Sequence, residues 1–357
     1  MPRVLALLVA CVAAGLLLAP SAHGAVPRGF FGVNVNGPLD DPAFGLDAEA
    51  RTMHASGVRS WRVEFSWDLL EPEPGRFDWS RTDRKVLAAA RARIDVLGLA
   101  VRAPAWANGG DIDPFVPPRD PAAYGRFMTA LVARYGPAGS LWAEHPEVRR
   151  RPVRAWEIWN EPNLAIYFRA QPFARPYARL LRAASRAIRR ADRRATIVLA
   201  GMANFSWRDL DRLLRAERGL DFDAAAVHPF TGRPSGMLEI VRRNRATLAR
   251  RGYGRIPVWL TELTWSSAKG KKTPLTKGWE TTEAGQAERL TQAFRLLVRE
   301  RRRLRIARVL WYTWASADDG SQNSFEYSGL RTTRGGTTLE DKPALAAFRG
   351  ATRRAAR

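Results

Sequence analysis

Two short stretches of this chain end in residues that could do chemistry. Ala155-Trp156-Glu157-Ile158-Trp159 is apolar on alternate positions, as a strand is. It then meets Asn160-Glu161-Pro162, where proline ends ladder pairing because it has no N–H. Pro257-Val258-Trp259-Leu260-Thr261-Glu262 repeats the pattern. A carboxylate at the end of a buried, aromatic-rich strand is costly unless it is paired or reactive. One such glutamate is more often a satisfied polar residue. Two of them, on strands far apart in sequence, fit acid-assisted cleavage of a glycosidic bond. That chemistry needs one carboxyl group to give a proton and a second to attack as an anion.

The remaining sequence predicts the frame that would hold them. Short β-like runs alternate with helical ones. The strands are read at 29–36, 58–65, 94–101, 153–158, 196–201, 224–228, 257–262 and 306–313. Between them, 46–56, 80–93, 121–135, 172–193, 207–218, 235–251, 282–303 and 342–353 have helical spacing, with Asp78 expected to cap the second of these. Eight strands alternating with helices, without a linker or a repeat at solenoid period, predict an α/β fold of one (β/α)8 barrel over residues 25–357. Active sites of such barrels lie at the C-terminal ends of the strands. Arg62, Trp106, Asn160, Glu161, His228, Glu262, Trp311 and Trp314 all fall at or just past such ends. Singly, each has a plainer reading: an ion pair, a satisfied core histidine, or packing tryptophans. Their convergence on one rim is the signal. Specificity is expected from the loops 107–120, 164–172, 266–281 and 315–340.

Composition narrows the classes. Arg3 followed by an apolar run from Val4 to Leu18, with small residues before Ala25, reads as a secretory signal peptide over residues 1–24 and places the chain outside the cell; an uncleaved N-terminal membrane anchor is the alternative. Cys11 is the only cysteine, which leaves a cleaved product without thiolate nucleophiles or cysteine zinc sites. His54, His145 and His228 are too scattered to suggest a metal centre, so no metal and no cofactor is expected. The formal charge is +23, and 52 of the 58 basic residues are Arg, spread over nearly every helix. That spread suits a general compositional bias, or weak electrostatic association with an acidic polysaccharide or the cell envelope. No nucleic-acid motif accompanies it, and a monomer acting on carbohydrate is expected.

With Trp159-Asn160-Glu161-Pro162, Leu260-Thr261-Glu262, Phe31-Gly32-Val33-Asn34 and Arg59-Ser60-Trp61-Arg62-Val63 in view, the chain resembles the clan A glycoside hydrolases, retaining (β/α)8 glycosidases, over about residues 29–350. Within the clan it is most similar to family 39, the β-xylosidase and iduronidase group, with families 5 and 79 as neighbours. The resemblance implies Glu161 as general acid/base and Glu262 as nucleophile. It further implies Asn160 on the sugar 2-hydroxyl, Arg62 beneath Glu262, His228 lining the same subsite, and Trp311 or Trp314 as a stacking floor. It departs at His228-Pro229-Phe230, where many clan members carry a tyrosine. The hydroxyl beside the nucleophile must then come from Tyr312 or Tyr327, or be missing. Two other activities fit the same motifs: a non-catalytic carbohydrate-binding barrel, and a transglycosylase using both glutamates.

Overall fold

The computed structural model describes residues 25–271, 279–318, 320–333 and 336–356. The apolar leader at 1–24, with Cys11, and residues 272–278 of the Lys-rich loop after the seventh strand lie outside them. Eight parallel strands form a closed barrel: β1 (Phe31–Asn34), β2 (Ser60–Ser66), β3 (Asp95–Val101), β4 (Ala155–Ile158), β5 (Thr196–Met202), β6 (Ala224–Val227), β7 (Val258–Leu263) and β8 (Ile306–Trp311). Each pairs with its sequence neighbour, and β8 returns to β1 through Phe31–Val309, Gly32–Leu310 and Val33–Trp311. The main outer helices are α1 (Leu46–Ala55), α3 (Ser80–Arg91), α5 (Pro121–Tyr135), α7 (Ala174–Ala191), α8 (Ser206–Ala216), α9 (Pro234–Arg250), α10 (Glu283–Leu304) and α11 (Pro343–Ala355). Short helices α2 (Trp67–Leu70), α4 (Ala105–Asn108) and α6 (Ser140–Glu144) lie in the connections. The fold is the expected (β/α)8 barrel.

Side-chain period builds the layers. In β4 the two-residue alternation sends Ala155 and Glu157 into the barrel and Trp156 and Ile158 outward to the helices. The barrel interior gathers Leu97, Ala155, Val198, Ala224, Ala226, Trp259 and Leu310, a separate cluster from the larger apolar layer beneath the helices. Gly98 in β3 is required by this packing, because a Cβ there would lie 2.5 Å from the Trp156 ring. In α7, Tyr177, Leu180, Leu181, Ala184 and Ile188 form the buried stripe, and its arginines take the other face. Each Leu or Ile buried in this way contributes about 1.5–3 kcal/mol. Capping fixes helix starts: Asp120 accepts the Ala122 N–H at 2.9 Å ahead of Pro121, and Thr282 accepts that of Gly285 at 3.1 Å.

Two expectations shift in detail. Asp78 lies one residue outside the cap of α3, which is Trp79, and accepts the Ser80 N–H at 2.9 Å from there. The segment 315–340, read as loop, holds a small sheet of β9 (Ala315–Ser316), β10 (Arg331–Thr332) and β11 (Glu340–Asp341). Among the described residues no helix is long and apolar enough to cross a membrane.

Candidate active site

The C-terminal strand ends ring a cleft of about 800 Å³. Beyond β4 the chain turns sharply, with Trp159 at φ +68° and Glu161 at φ +42°. Such conformations cost a non-glycine residue about 1–3 kcal/mol and collect at functional sites. The turn is tied down by Trp159 N–H on Ala100 O (2.9 Å) and Glu161 N–H on Gly201 O (3.0 Å). Across the cleft, the pairing of β7 with β8 slips between Leu260 and Leu263. That irregularity re-aims side chains, so consecutive Thr261 and Glu262 both reach the site. One carboxylate oxygen each of Glu161 and Glu262, together with His228 Nδ1, lie within 4.8 Å of one another.

Arg62 from β2 organises the base of the cleft. Its Nη1 donates to Glu262 Oε1 (2.6 Å) and Asn34 Oδ1 (3.1 Å), its Nη2 to Asn160 Oδ1 (2.8 Å), and its Nε to Glu157 Oε2 (2.6 Å). With its oxygen held by Arg62, the Asn160 side chain offers its NH2 end to the cleft. Burial lowers the Arg62 proton affinity, but the charges of Glu157 and Glu262 outweigh it, and the guanidinium stays charged. For Glu262 burial is the largest influence and raises its pKa above the ordinary carboxylate range; the His228 and Arg62 charges oppose it, and Glu161 and Glu157 add to it. His228, fully buried, contacts Glu161 Oε1 through Nδ1 (2.6 Å) and Thr261 Oγ1 through Nε2 (3.0 Å). Burial disfavours a second ring proton. The Glu262 charge and the contact with Glu161 prevail, so its pKa is raised. Glu161, His228 and Glu262 have the spacing a metal ion would accept. Their present partners are the Arg62 guanidinium on Glu262 and the Thr261 hydroxyl on His228.

The structure therefore brings together Arg62, Asn160, Glu161, His228 and Glu262. It does not bring the three tryptophans to the cleft. Trp311, the last residue of β8, faces outward because Leu310 faces in; it is fully buried and donates to Ser328 O (3.0 Å). Trp314 is buried and donates to Glu49 (2.8 Å), and Trp106 packs edge-on against Trp67 and donates to Glu71 O (2.9 Å). The aromatic wall is instead Phe230, Trp279, Tyr312 and Phe325, with ring centroids 5.2–6.0 Å apart in contacting pairs. Phe230 thus takes part in the wall at the position where a tyrosine was missed. Of the two hydroxyl candidates, Tyr312 lines the cleft, accepts from Asn36 Nδ2 (3.1 Å) and is raised by burial and then by the Glu262 charge. Tyr327 is buried elsewhere and donates to Ser321 O (2.8 Å). All four expected specificity loops supply cleft residues, including Phe115, Ile166, Tyr167, Trp279 and Asn323. Glu157, fully buried within β4, escaped the sequence reading. Its signal was present: an acid inside an apolar run must have partners.

A family model described as beta-galactosidase, glycoside hydrolase family 42, matches residues 43–107, the stretch that carries Arg62. A search of curated protein sequences finds no match. Among solved structures, a family 39 glycoside hydrolase from Bacteroides cellulosilyticus WH2 is 18% identical with a TM-score of 0.67, covering 91% of this chain and 63% of its own. A monomeric beta-xylosidase from Caulobacter crescentus CB15 is 18% identical with a TM-score of 0.62, over 91% of this chain and 68% of its own. An intracellular xylanase from Thermoanaerobacterium saccharolyticum is 15% identical with a TM-score of 0.59, over 90% and 95%. At these identities the structural likeness is one of fold. The likeness is to the (β/α)8 fold of these proteins, and the family model over residues 43–107 agrees with the resemblance to clan A glycoside hydrolases.

Proposed function

We propose that the chain is a retaining glycoside hydrolase that cleaves the O-glycosidic bond of a β-linked glycoside by double displacement. The observation that carries this is the spacing of the two carboxyl groups, with oxygens of Glu161 and Glu262 within 4.8 Å. Retaining enzymes hold their carboxyl groups about 5–5.5 Å apart, and inverting ones leave about 6.5–9.5 Å for a water. Glu262 attacks the anomeric carbon while Glu161 protonates the leaving oxygen. The glycosyl–enzyme bond consumes the nucleophile's charge, and Glu161 then takes a proton from the attacking water. The Asn160 NH2 group, held by Arg62, meets the sugar 2-hydroxyl, and the Phe230–Trp279–Phe325–Tyr312 wall meets apolar sugar faces. The apolar leader supports a further proposal, that the chain is exported; N-terminal sequencing of the mature protein tests it.

The deciding experiment is mass spectrometry after incubation with 2-deoxy-2-fluoro β-glycosyl fluorides. Relatives described as a β-xylosidase, a xylanase and a β-galactosidase recommend xylosyl and galactosyl members of the panel. The expected result is a covalent adduct on Glu262, with Glu262→Gln giving neither adduct nor turnover and Glu161→Gln folded but slowed about 10²–10⁴-fold. Variants of both glutamates that hydrolyse aryl glycosides like the parent would overturn the assignment.

A further inference from the structure

Glu157 touches the supports of both reacting carboxyl groups, although it lines no part of the cleft. Its Oε2 accepts from Arg62 Nε at 2.6 Å. Its Oε1 accepts the Gly201 N–H and the Thr261 O–H, each at 3.0 Å. We infer that Glu157 and Thr261 are positioning residues that set the proton order of the site: one oxygen of Glu157 aims Arg62 at Glu262, and the other orients the Thr261 hydroxyl so that His228 keeps a ring proton on Nε2.

The order follows from counting hydrogens. The carboxylate of the Arg62 ion pair can only accept, so the single hydroxyl hydrogen of Thr261 is committed to it. What remains on Thr261 Oγ1 toward His228 Nε2, 3.0 Å away, is a lone pair, and Nε2 must therefore donate. His228 Nδ1 then faces Glu161 Oε1 at 2.6 Å with one proton between them, as O–H···N or as N–H···O of an ion pair. Either way the Glu161–His228 pair holds one transferable proton, which passes to the leaving oxygen and returns from the attacking water. Gly201 makes this stacking possible. A Cβ there would stand 2.1 Å from His228 Nε2, and the same residue's N–H and C=O hold Glu157 and Glu161. The groups facing the pair are Glu262 from β7, with Oε2 3.8 Å from Nδ1, Arg62 from β2, Glu157 from β4, and the phenols of Tyr312 and Tyr167, both of which feel the Glu262 charge.

The inference rests on the hydrolase reading for its consequence, so its test has two arms. The first needs no turnover: long-range 1H–15N NMR of the imidazoles, with His228 assigned by its disappearance in His228→Gln. The parent should show Nε2–H at every pH where it is folded, and Thr261→Val should release the ring to Nδ1–H. A neutral Nδ1–H tautomer in the parent overturns the inference. The second arm is kinetic. Thr261→Val should lower kcat/KM about 10–100-fold for phenyl or alkyl leaving groups, and roughly 3-fold at most for 2,4-dinitrophenyl, which needs no acid. Its alkaline limb should move to lower pH by about one unit, because Nδ1–H then donates to the Glu161 carboxylate and favours that anion. Thr261→Ser should restore both. A pH profile that superposes on the parent's, or an equal loss on all leaving groups without rescue by serine, overturns the positioning role. If the parent cleaves no glycoside, the hydrolase reading falls and the tautomer alone decides the hydrogen-bond order.

Discussion

Arg62 and Glu262 meet at 2.6 Å with both side chains nearly buried, so two large effects oppose each other on one carboxyl group. Withdrawal from solvent favours the neutral acid, and the guanidinium favours the anion. The net direction for Glu262 is upward. A nucleophile must be ionised, so activity should rise with pH through this group. The acid limb of kcat/KM should therefore lie above the ordinary glutamate value of about 4.3. Because Glu161, His228 and Glu262 lie within 4.8 Å of one another, the limb is a property of the cluster. Arg62→Met removes the opposing cation and should push the limb further up, besides lowering kcat. A pH–rate series on one aryl glycoside measures both, and a limb that stays put in Arg62→Met would contradict the ion-pair role. Arg62→Lys should not substitute, since a single ammonium cannot reach Glu157, Asn160 and Glu262 along the three directions a guanidinium provides.

The strands that carry the two glutamates were legible because alternating apolar runs end abruptly in Asn-Glu-Pro and Thr-Glu. Such a pattern has no other easy home than a buried strand with a polar tip. The tryptophans of the eighth strand were misplaced for an equally physical reason: the side-chain period is two, and an error of one residue exchanges the faces. Leu310 faces the barrel interior, so Trp311 faces the helices and Tyr312 the cleft. Trp279 and Phe325 lie in connections without period, where nothing in sequence announces a wall. The element therefore makes two opposite predictions. Trp311→Ala should cost about 3–5 kcal/mol in denaturant unfolding as a buried large-to-small change, with KM of the surviving fold close to the parent's. Phe325→Ala, at the edge of the cleft, should cost less stability and raise KM. The reverse pattern would return Trp311 to the substrate.

Over the whole molecule, the charge and the site point in different directions. The chain carries a formal +23, yet the described cleft lining holds three carboxylates, Glu64, Glu161 and Glu262, against two guanidiniums, Arg62 and Arg102. Both guanidiniums are already paired, Arg62 with Glu157 and Glu262, and Arg102 with Glu64 at 3.1 Å. Among these residues no cation is left over to meet a sugar carboxylate, so a uronate would lose hydration there without gaining a charged partner. The arginine excess belongs to the helix faces, where attraction to an acidic polymer is long-range and screened beyond about 8–10 Å at ordinary ionic strength. The two behaviours should separate in experiment. Retention of the protein on an acidic polysaccharide should be lost as salt is raised, while kcat/KM for a neutral aryl β-glycoside changes little over the same range. A matched β-glucuronide should be the poorer substrate, and added salt should not remove its disadvantage, because the loss is one of hydration rather than of screened repulsion. A glucuronide preferred at low salt would mean that the surface charge does reach the reacting sugar, and that the cleft is read wrongly as neutral-selective.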